Sequence, residues 1–245
     1  MQANLVDVAQ PSLVHYIPIV TTLLAVPFAV EIYRRWRAHP ERLHLLWWAI
    51  GIATYGAGTF VEAWTTLFGW HPVVFRAWYI TGALLGGAPL AQGTVYLMLG
   101  RRTAHRLTTA LVAYVIIASV CVVLAPIDAT LVEAHRLTGR VFAWPWVRLF
   151  SPIVNLYAVV FLIGGAILSA VRYSQDPATK HRMYANILIA VGAILPGIGG
   201  TATRMGHTEV LYVTELIGML LTWTGYRISV RPIVPSSHPH PAPAR

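Results

Sequence analysis

The sequence predicts an all-α, polytopic membrane protein of seven transmembrane helices, and three observations carry that prediction. Hydrophobic residues make up 56% of the chain and charged residues 11%, with a mean hydropathy of +0.61. Soluble domains carry roughly twice that share of charge. The apolar residues gather into seven runs, each near the length of about 20 residues that crosses a bilayer. The basic residues between the runs are plentiful on one side and sparse on the other.

The runs cover residues 13–33, 45–68, 77–99, 107–125, 152–171, 183–203 and 208–226. A helix is the expected form of each, because lipid offers no other partner for the backbone of an isolated span. Pro18, Pro27, Pro89 and Pro196 fall within or near the runs, where kinked membrane helices tolerate them. The strings GALLGGAPLAQG (82–93) and GAILPGIGG (192–200), with Gly164 and Gly165, set small residues at spacings that let helix backbones approach.

Thirteen basic residues flank one side: Arg34, Arg35, Arg37, Arg42, Arg101, Arg102, Arg106, Arg172, Lys180, Arg182, Arg227, Arg231 and Arg245. The other side has five: Arg76, Arg136, Arg140, Arg148 and Arg204. The positive-inside rule then puts the N-terminus outside and the C-terminus in the cytoplasm, which an odd number of spans also requires. The net charge of +9 and the pI near 10.1 come from these loops, so no nucleic-acid partner is expected. Lipids are the expected surroundings, with a second copy or another membrane protein as the expected partner.

No cleavable leader is expected. The opening MQANLVDVAQ lacks a basic segment, and the first run ends in EIYRRWR. Residues 1–231 read as one membrane domain. Residues 232–245, rich in proline, read as an extended disordered tail whose His238 and His240 are solvated. Residues 126–149 form the longest connection on the sparse side. Its FAWPWVR end suits an anchor at the headgroup level, and a cap over a site is the alternative. Cys121, the single cysteine, excludes an intrachain disulfide.

Two acids lie inside the runs, Glu62 and Glu215. A carboxyl in a span is costly and marks a role by default. At 1.5 Å per residue both lie about 10 Å below the same surface. Each sits in a polar stripe at helical spacing: Tyr55, Thr59, Glu62 and Thr66 in one, Tyr212, Glu215 and Thr222 in the other. Arg204 and Asn155 fall near the same side, and Gln92 in mid-span three. Three readings stay open: a structural lock in which an acid pairs with Arg204 or is protonated, an outward-facing polar pocket, and a proton relay. The candidate ligand-binding residues are Glu62, Glu215, Arg204, Tyr212, Asn155 and Gln92.

No cofactor is expected. The histidines sit at helix ends, so paired axial haem ligands are not evident, and a metal held by His71, His207 and a carboxylate is a remote alternative. HExxH, CxxC, GxSxG and phosphate-cradling loops are absent from the sequence, so an enzyme is not expected. Retinal binding would need a lysine in span seven, and the only lysine is Lys180 in a loop.

RAWYITGALLGGAPLAQGTVYLMLGRR and NILIAVGAILPGIGGTATRMG resemble a group of bacterial seven-span membrane proteins of uncharacterised activity. More distantly, the span pattern with Glu62 near the end of span two is similar to the seven-helix sensor modules at the N-termini of some histidine kinases. The resemblance implies a bacterial inner-membrane location and the seven-helix fold, and brings no catalytic residue. The function expected is a non-enzymatic sensor-like or ligand-binding module. An accessory or scaffold subunit of a membrane complex, or a small-solute or proton transporter, are the alternatives.

Overall fold

The structure, a computed structural model, describes residues 12–133 and 137–231, and of Arg204 the backbone alone. The tail at 232–245, with its two histidines, and His135 and Arg136 lie outside the described residues. Seven long helices run back and forth: α1 (Leu13–Ala38), α2 (Leu43–Phe68), α3 (Pro72–Met98), α4 (Arg101–Leu124), α5 (Pro145–Ser174), α6 (Lys180–Arg204) and α7 (Thr208–Ser229). No strand occurs among the described residues. One face of the bundle carries the Leu13 end of α1 and the other its Ala38 end.

Five of the seven helices are long and apolar enough to cross a membrane. The two that fall short on that measure, α2 and α7, are the two that carry Glu62 and Glu215. Their polar stripes lower their hydropathy, and the stripes are spent on neighbouring helices. From α2, Thr59 bonds Thr22 of α1 (2.9 Å), Thr66 Oγ1 donates to the His15 carbonyl (3.1 Å), and Tyr55 Oη donates to the Glu215 carbonyl on α7 (3.0 Å).

Small residues bring the helices together, as the sequence spacing suggested. A Cβ added to Gly192 would lie 2.7 Å from the Gly218 carbonyl oxygen, and one on Gly199 2.6 Å from the Leu211 Cα. The 192–200 string is therefore the seam between α6 and α7. The 82–93 string serves α2: Gly93 leaves room for Trp48 and the His44 carbonyl. Gly218→Ala puts a methyl group 2.6 Å from the Gly192 carbonyl oxygen. It should cost about 1–3 kcal/mol of stability by overpacking, read as a lower unfolding temperature in detergent.

Two helices are irregular at mid-span, and their irregular parts meet. In α3 a π-helical stretch, Tyr79–Leu84, precedes a break at 85–87. Pro89 has no N–H to continue the ladder there, and the glycines around it resist it least. In α5 a π-helical stretch spans Val159–Ile163. Gly87 faces Ala158, so close that a Cβ on Gly87 would sit 2.8 Å from the Ala158 Cβ. Ser151 Oγ on α5 donates to the Ala83 carbonyl (2.8 Å) inside the disturbed turn of α3, which supplies the partner the π-helix withholds.

The connection between α4 and α5 is a packed cap. Ile127 and Phe142 form an antiparallel bridge, and short 3₁₀ turns carry the rest of the segment. Leu137, Val141, Phe142 and Val147 are buried against Phe75, Tyr79, Ala118 and Val122. Arg76 on α3 donates to the Ala125 carbonyl (3.0 Å), and Thr130 donates N–H and hydroxyl bonds to Asp128 (2.9 and 2.6 Å). Those donors hold the exposed Asp128 carboxyl below its ordinary range. Trp144 and Trp146 stay exposed and stack on each other at 5.7 Å between ring centroids. The segment is a packed cap, and its two tryptophans form an exposed aromatic edge.

Candidate functional site

A cavity of about 1430 Å³ runs through the middle of the bundle. Six helices wall it, α1, α2, α3, α5, α6 and α7, together with Thr138, Gly139 and Arg140 of the cap. Helix α4 stands outside and contributes nothing to the wall. The lining reaches both faces. Arg140 and Arg148 rim the end at the Leu13 face, while Arg35, Arg42 and Arg182 rim the end at the Ala38 face.

Glu62 and Glu215 meet in this cavity. Helical periodicity puts each on the inward stripe of its helix, and the equal depth read from the sequence brings them level. Glu62 is 3% exposed. Its Oε1 accepts a bond from Trp78 Nε1 at 2.9 Å. The two carboxyls lie close enough to interact directly, and Oε2 of each is buried without a hydrogen-bond partner. Among the described residues neither acid takes part in an ion pair. The Trp78 N–H and a proton shared between the two facing carboxyls still leave Oε2 of each acid without a donor. Buried oxygens left this way cost stability, and they are places where an incoming N–H or cation would be held.

The other candidates separate. Asn155 lies on the cavity wall, its Nδ2 donating to Ser151 Oγ (3.2 Å). Tyr212, one turn from Glu215, is buried edge-on against the His15 ring (5.7 Å between centroids) in the α1–α7 seam, away from the wall. Gln92 is also off the wall. Its Nε2 donates to the Ala104 carbonyl (3.2 Å) and Thr108 Oγ1 (2.8 Å), and its Oε1 accepts from Tyr157 Oη. It is a fully bonded clamp joining α3, α4 and α5, which is why so polar a residue sits at 0% exposure. The side chain of Arg204 is outside the described residues. Its backbone ends α6 five residues beyond Gly199, which packs against Leu211 and Thr214, so it stands about 7 Å beyond that level toward the Leu13 face.

Two residues of the site escaped the candidate set. Trp78 is the one donor to Glu62 Oε1, and Tyr55 Oη reaches across to the Glu215 backbone. Trp78 had a readable signal. It lies about as far past the 69–71 turn as Glu62 lies before it, so the two helices of that hairpin carry them at one depth. His71, considered for a metal, caps its own helix by accepting from the Val73 N–H (3.3 Å). No group of three or more His, Cys, Asp or Glu side chains gathers among the described residues. Comparison with family models, with curated proteins and with solved structures found no match.

Proposed function

We propose that the protein is a membrane-embedded binding module, sensor-like and without chemistry of its own. It takes a small ligand bearing N–H donors or a positive charge between Glu62 and Glu215. The observation that carries this reading is the pair of facing carboxyls on the wall of a large cavity, each with an oxygen that nothing in the described protein satisfies. The surrounding wall supports a partly apolar ligand: Trp78 and Tyr55 stand beside the acids, and aromatic faces favour cations. The charge bias of the loops supports an inner-membrane orientation with the Leu13 face outside. The acids are nearer that face, under the cap.

A primary alkylammonium such as hexylammonium, with three N–H donors on one charge, is the probe that fits. It should raise the unfolding temperature of the parent protein in a saturable way, because a ligand that binds only the folded state stabilises it. Glu62→Gln and Glu215→Gln should each remove most of that gain. Equal stabilisation of both variants and the parent would sink the binding reading.

Transport is the second reading, favoured by one observation: the cavity lining reaches both faces. Proteoliposomes would then carry protons or an organic cation across the bilayer, with Glu215→Gln stopping the flux. Sealed behaviour with intact ligand binding leaves the binding module.

A further inference from the structure

The end of the cavity at the Ala38 face is chemically unlike the end that holds the acids. Arg35 from α1 and Arg182 from α6 both line it, on either side of the last turns of α7. Neither has a carboxylate partner among the described residues. Arg182 packs its guanidinium over the Tyr173 ring at 5.7 Å, and its Nε is buried without an acceptor. Arg35 lies by the Tyr226 side chain.

The acids of this face are spent elsewhere. Glu31 accepts from Trp223 Nε1 (2.9 Å) and pairs with Arg227 (3.5 Å). Glu41 pairs with Arg42 (3.6 Å) and His39 (3.7 Å). Asp176 accepts from the Ala178 N–H (2.9 Å) as a turn cap. Two half-buried guanidinium groups thus line one mouth, neither in an ion pair among the described residues, and each offers a planar fork of donors.

Above the two arginines, past Asn186, Ser169 and Thr222, apolar side chains dominate the wall. Phe28, Ile32, Ile52, Leu90, Leu162 and Met219 all face the cavity. From Tyr226 back to Glu215 is eleven residues along α7, about 16 Å of helix. A charged rim opening into an apolar shaft of that length has the shape of a site for an amphiphile with one anionic end.

We propose that this end of the cavity binds an acidic membrane amphiphile, with its carboxylate or phosphate between Arg35 and Arg182 and one acyl chain extended toward mid-span. The site stands apart from the acid pair and does not depend on it. The alternative role for the arginines is structural: cations near the end of α7 offset its carbonyl dipole.

Binding of labelled palmitate to the full chain, in nanodiscs of zwitterionic lipid, separates the two. The parent protein should bind palmitate saturably and one to one. Arg35→Gln and Arg182→Gln should each weaken it about tenfold to a hundredfold, the worth of a charge-assisted bond. Arg34→Gln, on the exposed side of α1, should bind as the parent does. Hexadecanol, with the same chain and no charge, should bind at least about tenfold more weakly. Hexadecanol binding as tightly as palmitate would overturn the proposal, as would unchanged affinity in both arginine variants. Inorganic phosphate that competes for palmitate at comparable concentration would also overturn it, because the site would then read a free anion. If a glutamine variant fails to fold, Arg35→Lys and Arg182→Lys keep the charge for the dipole but lose the fork. A drop in palmitate affinity with unchanged unfolding temperature supports the amphiphile site, and unchanged affinity counts against it.

Discussion

The double variant Glu62→Gln, Glu215→Gln is expected to unfold at a higher temperature than the parent protein, although it alters Glu62, one of the most buried polar residues described, and the acid that faces it. Each carboxyl holds a buried oxygen with no donor, and the two acids face each other on the cavity wall. Glutamine keeps an oxygen for Trp78 Nε1 and brings an NH₂ that the opposite residue can accept. Relief of buried unsatisfied oxygens is worth about 1–3 kcal/mol. A structural lock gives the opposite sign. If Arg204 or another cation held these acids in place, removing their charge would leave it unpaired and cost about 3–5 kcal/mol. Thermal unfolding in detergent, followed by tryptophan fluorescence, reads the sign directly. Groups that lower stability and are kept all the same are the mark of a site, and the ammonium response lost in the same variant would join the two results.

Phe75→Ala should be the most damaging single substitution outside the cavity. Phe75 is 0% exposed and stands between Trp70, Trp78, Tyr79 and Phe142, with ring centroids 5.0–6.4 Å away. It joins the start of α3 to the buried side of the cap. Truncating a buried phenylalanine costs about 3–5 kcal/mol. The loss should be local first, since the cap is anchored chiefly through this cluster. Trypsin should then cut after Arg140 or Arg148 faster than in the parent, while α6 and α7 remain intact. Cleavage at the parent rate with a normal unfolding temperature would show that the cap is held by something other than the Phe75 cluster.

The helices were legible because each needs only a run of apolar residues, and every one of the seven runs holds a helix. The α6–α7 seam was legible from GAILPGIGG for a similar reason: a glycine face declares itself by spacing. The sequence also carried the common depth of Glu62 and Glu215, since rise per residue is fixed. It could not carry what depends on rotation about each helix axis. Gln92 reads as an intramembrane polar candidate, yet it turns toward α4 and α5 and is consumed there by three hydrogen bonds. Tyr212 shares a stripe with Glu215 but ends in a different seam. The cap was half legible. Its tryptophans suggested an interface, while the burial of Leu137, Val141 and Val147 depends on contacts with helices far away in the chain. Trp78 was hidden because tryptophan in a membrane helix usually serves as an interfacial anchor, and only the hairpin geometry makes it a donor to Glu62. The strongest misfit between run length and apolarity was itself informative. The two helices that fall short of the apolar window for a span, α2 and α7, are the two that carry the acids.

If Glu62 and Glu215 meet across a cavity that solutes can enter, an engineered zinc bridge between them should form, and it reads both conditions at once. Glu62→His combined with Glu215→His would put two imidazoles where the carboxyls now face each other, and zinc needs ligand nitrogens about 2.0–2.1 Å from the ion. Zinc added to the folded double variant should raise its unfolding temperature in a saturable way, worth about 2.7 kcal/mol at a hundredfold excess over the dissociation constant. Either single histidine variant should respond far less. A folded double variant that does not respond to zinc would mean that the two positions do not meet, or that no solute reaches them, and would contradict the account.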